Sequence, residues 1–196
     1  MANIQAPFGF SQYSGTGSDP TYEQVVKAIA SGNATAIYKG DPIVQLNTGY
    51  ITLATPGTTQ IDGIFVGCKY LSTSQKRMVV SPYWPGSDAT GDVEAYVIND
   101  PNAKFLVQAG GSTTLGILFA DIGINVNFAV GTPNAANGLS GAYADQTTLQ
   151  TTATLPFRVV GLITDPPGAN GTDSLSAYNF IIVAFNNVGT KSLTGI

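Results

Sequence analysis

The sequence predicts an all-β protein: an antiparallel β-barrel or β-sandwich with an extended N-terminal arm. Short apolar runs recur along the chain, and most of them end at Gly, Pro, Asn or Asp. The clearest run is 124–130, where apolar residues alternate with Asn and Ala as in a half-buried strand. Turn sequences such as 99–102 (Asn-Asp-Pro-Asn) separate the runs at intervals typical of antiparallel sheets. Helical periodicity is scarce.

The elements follow from these runs in chain order. Residues 1–20, rich in Gly, Ser and aromatic side chains, are predicted as the arm, and residues 21–196 as one β-rich domain. Residues 19–32 fit a helix with Asp19 as its cap and Gly32 at its end, and they also fit a strand. Residues 132–154 are predicted as a long functional loop. The predicted strands are 35–38, 43–46, 50–54, 61–71, 76–83, 93–98, 104–109, 124–130, 155–164 and 177–186.

The charge content favours a protein that assembles with other proteins. Charged residues make up 10% of the 196 residues, against about 25% in an ordinary soluble protein. The surface must therefore consist mainly of neutral polar and small side chains, which favour association. The net charge of −4 and the scattered basic residues argue against nucleic acid and against an anionic membrane surface as partners.

The residues that are missing exclude most catalytic chemistry. The chain has no histidine and a single cysteine, Cys68, so histidine-activated nucleophiles, most zinc sites and an internal disulfide are excluded. Ser140 lacks a base, and Cys68 is predicted as a buried strand residue. Carboxylate or lysine chemistry remains possible, and we expect no metal or cofactor. Asp165, Asn170 and Asp173 could supply oxygen ligands to calcium, so calcium binding at this loop stays open.

The pair Tyr83 and Trp84 lies in a loop rich in Gly and Pro. Three interpretations stay open: the loop packs on its own core, the rings anchor a protein interface, or they stack on a sugar. The first residues lack a secretion signal, and no apolar run reaches the about 18 residues of a membrane span. Synthesis and retention in a cytoplasm are therefore expected.

Several segments, taken in order, resemble a family of tailed-bacteriophage virion proteins described as capsid cement or decoration proteins. The similar segments are 1–10, 34–42, 63–67, 100–105, 121–125, 140–141, 151–155 and 179–183. They span nearly the whole chain, and none of them is chemically diagnostic alone. The chain departs from the family at Ser11, Gln12 and Tyr13, where relatives tend to carry basic residues.

The resemblance implies a β-rich protein without catalysis that binds across seams between major capsid protein subunits and stabilises the mature shell. It implies a homo-oligomer, with a trimer favoured and a dimer possible, located on the outer capsid surface after synthesis in the host cytoplasm. It also favours a strand over a helix at 22–29.

The residues expected to form the capsid or oligomer interface are large apolar or aromatic side chains of the arm and of the 83–84 loop. They are Ile4, Phe8, Phe10, Tyr13, Tyr83 and Trp84. Removal of residues 2–18 is expected to leave a folded oligomer that binds capsids poorly. The alternatives are a carbohydrate- or receptor-binding virion module that uses Tyr83 and Trp84, and a polysaccharide-degrading enzyme.

Overall fold

The computed structural model describes residues 3–15, 23–168 and 171–192, and over these residues the protein is all-β. The single helical element among them is the 3₁₀ turn Phe119–Asp121. The strands are β1 Ser11–Ser14, β2 Val25–Ile29, β3 Ile37–Tyr38, β4 Pro42–Gln45, β5 Ile51–Leu53, β6 Gly63–Leu71, β7 Met78–Ser81, β8 Tyr83–Trp84, β9 Val93–Ile98, β10 Lys104–Gly110, β11 Asn125–Val130, β12 Ala142–Gln150, β13 Phe157–Leu162 and β14 Phe180–Phe185.

Five strands form a closed barrel in the order β10, β12, β11, β13 and β14, and the pairing of β14 with β10 closes the ring. All neighbours are antiparallel except β10 and β12, which pair in parallel through two residues of each strand. Strand β1 pairs antiparallel with the first half of β10. The predicted all-β class is confirmed, and the barrel is the form that it takes.

A second sheet, in the order β2, β9, β6, β4 and β5, is antiparallel throughout, and β7 pairs with the last residues of β6. Strand β6 contributes to both halves of the molecule. Ile64 lies in the barrel core, whereas Phe65, Cys68 and Tyr70 lie in the core under the second sheet. An irregularity in the pairing between Phe65 and Gly67 shifts the register by one residue, which puts Phe65 and Cys68 on the same face.

The two cores differ in composition. The barrel core contains five phenylalanines, namely Phe10, Phe105, Phe128, Phe157 and Phe185. The core of the second sheet contains mainly Ile and Val, with Phe65, Tyr70 and Trp84. The two-stranded ribbon of β3 and β8 places Trp84 in this second core.

The prediction of a loop at 132–154 is wrong over its second half. There the chain forms β12, one of the two longest of the described strands. Its inward side chains are small, Ala142 and Ala144, because the narrow interior of a five-stranded barrel is already filled by phenylalanine rings. Strand signals depend on large apolar residues, so a strand of Ala, Asp, Gln and Thr gives little signal.

The alternative of a helix at 19–32 is also wrong over the residues that the structure describes. Strand β2 pairs with β9 through all five of its residues, from Val25 opposite Val97 to Ile29 opposite Val93. The strand alternative is therefore confirmed for 25–29. The proposed helix start, residues 19–22, lies outside the described residues.

Candidate functional site

Trp84, one of the residues expected at an interface, is completely buried in the second core. Its indole N–H donates a hydrogen bond to the carbonyl oxygen of Asn33 at 3.1 Å, and its ring meets the edge of Tyr70 at 5.1 Å. Tyr83 is half-buried and stacks on Tyr38 with ring centres 5.3 Å apart. The expectation that Trp84 contacts a partner or a sugar is therefore wrong, and the interpretation of a loop packed on its own core is confirmed for this residue.

The N-terminal segment 3–15 packs against the barrel instead of projecting from it. Phe10 is buried and stacks on Phe157 with ring centres 4.4 Å apart, and Phe8 is half-buried against the edge of Phe180 at 5.6 Å. Phe10 is therefore a core residue of its own chain, and its assignment as an interface anchor is wrong. Ile4 and Tyr13 remain exposed. The predicted boundary at residue 20 falls outside the described residues.

Buried amide side chains hold this segment in place. The Asn3 amide donates to the carbonyl oxygens of Asp173 and Ala177, at 2.9 and 3.1 Å. The Gln108 amide donates to the carbonyl oxygen of Ile4 at 2.9 Å and accepts from the N–H of Ala6 at 2.8 Å. Since buried backbone groups are costly to leave unpaired, these bonds fix an extended segment that has few large apolar side chains.

The segment joins the rest of the chain at a buried polar junction. The Phe10 N–H donates to the carbonyl oxygen of Gly40 at 2.9 Å, and the Gly40 N–H donates to that of Phe65 at 2.8 Å. Gly9 has a φ of +79°, and a Cβ there would lie 2.9 Å from the Cα of Gly40, so only glycine fits. Residues of four segments of the resemblance meet here, namely Gly9 and Phe10, Gly40, Phe65 and Ser140.

Asp41 is the charged group of this junction. Its carboxylate accepts hydrogen bonds from the Ser140 hydroxyl and from the Tyr38 N–H, the latter at 2.7 Å. Burial raises the pKa of Asp41 from 3.8 to about 6, although both hydrogen bonds act to lower it. Asp41 and Ser140 are both buried, so no substrate reaches the pair, and its arrangement fits a structural role.

A group of exposed apolar side chains lies at the loop 111–124, between β10 and β11. We define the Phe119 surface as Leu115, Phe119 and Ile122 of this loop together with Val160 and Leu175, all of them exposed. Phe119 is 80% exposed. The 3₁₀ turn contacts β13, and the Gly123 N–H donates to the carbonyl oxygen of Val159 at 2.8 Å. Gly116 packs against the carbonyl oxygen of Ser176, next to Leu175.

The loop that carries Phe119 is firmly anchored. Ile117 is buried, and its N–H donates to the side-chain oxygen of Asn179 at 3.0 Å, while the Asn179 amide donates back to the carbonyl oxygen of Ile117 at 2.8 Å. The Leu118 N–H donates to the carboxylate of Asp121 at 2.7 Å. These bonds fix the backbone next to Phe119, which lowers the backbone entropy lost when a partner covers the ring.

Sequence reasoning missed the Phe119 surface. The apolar run 115–119 does not alternate and is bounded by Thr114 and Ala120, so it resembles a short core segment. An apolar run without alternation, next to glycines and outside every predicted strand, was the available signal.

Asp165 and Asp173, two of the three residues of the possible calcium site, lie within the described part of the chain. Both carboxylate oxygens of Asp173 accept hydrogen bonds from the chain, one from the Ser176 hydroxyl at 2.6 Å and the other from the Leu175 N–H at 3.1 Å. Asn170 lies outside the described residues. Over the part of the chain that the structure describes, no three His, Cys, Asp or Glu side chains come together as a metal site.

Two further features concern the whole chain. Cys68 is buried in β6, as predicted, and burial raises the pKa of its thiol to about 12. Within residues 3–15, 23–168 and 171–192, no helix is long and apolar enough to span a bilayer.

Comparison with protein families, with characterised proteins and with solved structures finds no match to this chain.

Proposed function

We propose that this chain is a structural virion protein, a cement or decoration protein that binds across major capsid protein subunits on the outer surface of a tailed-phage capsid. The observation that carries the proposal is the Phe119 surface. Five large apolar side chains of the loop 111–124 and of the segments beside it are exposed in a chain with 10% charged residues. Exposed apolar patches of this kind are typical of protein–protein interfaces. The resemblance described above supplies the partner.

The proposed mechanism is thermodynamic linkage and involves neither catalysis nor a cofactor. A protein that binds the assembled shell and not its separated subunits stabilises the shell by mass action. Many copies on one closed lattice add their contributions, so a modest affinity per copy is sufficient. Burial of the Phe119 side chain alone contributes roughly 1.5–3 kcal/mol per copy.

The segment 3–15 takes a different part in this proposal from the one expected of an arm. Phe8 and Phe10 hold the segment to its own barrel, which leaves Ile4 and Tyr13 as its exposed apolar side chains. We propose these two residues as secondary contacts. Binding then depends on a preformed surface and not on an arm that becomes ordered on docking.

Co-sedimentation with purified mature capsid shells tests the proposal. Phe119→Ser removes the most exposed side chain of the surface and should weaken binding at least tenfold. Leu46→Ser is the matched control. Leu46 is also exposed, but it directly follows β4 of the second sheet and is not part of the Phe119 surface. It should bind like the unmodified chain. Binding should change little with ionic strength, because few charges are available for contacts.

Equal binding by the unmodified chain and Phe119→Ser would overturn the assignment of this surface. Failure of the unmodified chain to sediment with shells would overturn the cement function itself. Retention on glycan resins, with no binding to shells, would favour the alternative of a carbohydrate-binding module.

A further inference from the structure

Strand β7 is an edge strand whose apolar side chains are exposed. Among the described strands it pairs only with β6. Met78 and Val80 are exposed on one of its faces, Val80 to 76%. Edge strands are ordinarily protected by Lys or Pro within the strand, and the sequence Met-Val-Val-Ser of β7 contains neither.

The hydrogen-bond pattern shows which backbone groups of β7 face outward. Beyond the strand ends, the Ser72 N–H donates to the carbonyl oxygen of Arg77 at 2.9 Å, so Ser72 and Arg77 form a hydrogen-bonded pair in the register that places Leu71 opposite Met78. Such pairs alternate along an antiparallel ladder. Val79 and Ser81 therefore bond to β6, and the N–H and C=O groups of Met78 and Val80 point away from it.

The side chains next to β7 continue an apolar face. Met78 lies opposite the exposed Leu71, and Val80 lies opposite Lys69. The Lys69 ammonium is held by the Glu94 carboxylate of β9 at 3.1 Å. The Lys69 charge is thus directed toward the interior of the sheet, and the four residues of β7 itself carry no charge.

We propose that β7 of one copy pairs antiparallel with β7 of a second copy, about a two-fold axis that passes beside Val79. In this register Met78 of each copy lies opposite Val80 of the other. The outward backbone groups of both residues bond to no other described residue, so the pairing makes four hydrogen bonds between the copies. The exposed side chains of Met78, Val80 and Leu71 from both copies then form one apolar strip.

The flanking residues fit a second copy of this chain. In the same register Arg77 lies opposite Ser81, and Lys76 lies opposite Pro82, so no like charges meet. Pro82 ends the pairing because it has no N–H. Each copy uses its single β7 edge, so the contact closes at two copies and forms no fibre.

The size of the contact sets its strength. A stable dimer buries about 800 Å² on each partner, and a four-residue edge covers only part of that area. We therefore expect a weak, concentration-dependent dimer of the isolated chain. The proposal does not depend on the cement function, since it concerns a different surface and a different partner.

Sedimentation equilibrium of the full chain over a wide concentration range tests the proposal. Val80→Pro removes an outward N–H that no bond between β6 and β7 uses, although its ring also restricts φ. Val80→Lys adds a charge at the edge and keeps the N–H. Each should weaken self-association about tenfold or more. The matched control is Val26→Lys, at an exposed valine of another edge strand of the same sheet, β2, which should have no effect, as should Phe119→Ser.

Cysteine cross-linking tests the proposed register between the two β7 strands. Cys68 is buried with a thiol pKa of about 12, so it stays unreactive and introduced thiols report alone. A mixture of Met78→Cys and Val80→Cys chains, treated with a short thiol cross-linker, should give several times more dimer than either variant alone. A chain that stays monomeric at every concentration, dimers unaffected by both Val80 variants, or no excess in the mixture would each overturn the proposal.

Discussion

The barrel and the second sheet bury similar strands in different ways. In the barrel, phenylalanine rings form a continuous chain of contacts, from Phe10 to Phe157 at 4.4 Å, on to Phe185 at 5.9 Å, and from there to Phe105 at 4.9 Å. In the second sheet the core is mainly Ile and Val, and the contact of Trp84 with Tyr70 at 5.1 Å is its aromatic pair. The barrel ring is closed, whereas the second sheet is open, and β7 is one of its edge strands among those described.

This difference separates the surfaces that each half offers to partners. A closed ring has no strand edge, so the ring offers side chains for recognition, here those of the Phe119 surface. An open sheet keeps an edge whose backbone groups can pair, and its apolar side chains lie beside that edge. Closure of a sheet thus decides whether recognition uses side chains on a loop or the backbone of a strand.

Removal of residues 2–18 should have the largest effect on the comparison, because it deletes Phe10 and β1 from the barrel. The sequence alone predicted a folded product, whereas the structure predicts a chain with an open barrel core that is largely unfolded at 25 °C. Far-ultraviolet circular dichroism and thermal melting measure this. Ile4→Ser, at an exposed position of the same segment, is the control and should melt like the unmodified chain. A cooperative melt of the truncated chain near that of the full chain would refute the expectation.

Phe157→Ala should destabilise the protein by about 3–5 kcal/mol, because Phe157 contacts three other rings of the barrel core. Urea denaturation followed by circular dichroism and by the fluorescence of Trp84, which reports on the second core, gives two midpoints. We expect both to shift together, since Ile64 and Ile98 from the second sheet belong to the barrel core. A shift in circular dichroism without a shift in fluorescence would mean that the two halves unfold separately.

Asp41→Asn should change how stability depends on pH. The pKa of Asp41 is raised from 3.8 to about 6 in the folded protein, so between these values the folded state holds a proton that the unfolded state has released. The unmodified chain should therefore lose up to about 3 kcal/mol relative to the variant as the pH rises from 4 to 6. Urea midpoints at several pH values measure the difference. A difference between the two chains that is constant over this range would contradict the expectation.

Phe119→Ala should have the smallest effect, within about 0.5 kcal/mol of the unmodified stability, because its ring is 80% exposed. The same denaturation assay measures it, with Phe157→Ala as the buried counterpart. A loss of more than about 1 kcal/mol would mean that the ring supports the fold and is not held ready for a partner.

Sequence reasoning succeeded where a strand carries large alternating apolar residues. The predicted strand 93–98 coincides with β9, and 104–109 differs from β10 by one residue. It failed for β12, whose Ala142 and Ala144 are inward only because the phenylalanines of other strands fill the interior. The sequence of β12 alone gives no information about phenylalanines on other strands.

The candidate site was less predictable for the same reason. Trp84 and Phe119 are both large aromatic residues near glycines or prolines, yet one is buried and the other exposed. Pairing of β8 with β3 decides the first case, and the bonds between Ile117 and Asn179 decide the second. Exposure is set by contacts with residues far along the chain, which no local pattern records.

The pairing of β14 with β10 also sets the order in which the protein can be completed during synthesis. All strands of the second sheet lie between Val25 and Ile98, so they can associate while later residues are still being added. The barrel ring stays open until Phe180–Phe185 has left the ribosome. Phe10 cannot stack on Phe157 until Phe157 has been synthesised. A growing chain therefore presents the free edge of β7 before its barrel exists, at a stage when neighbouring ribosomes on one messenger hold other copies close by.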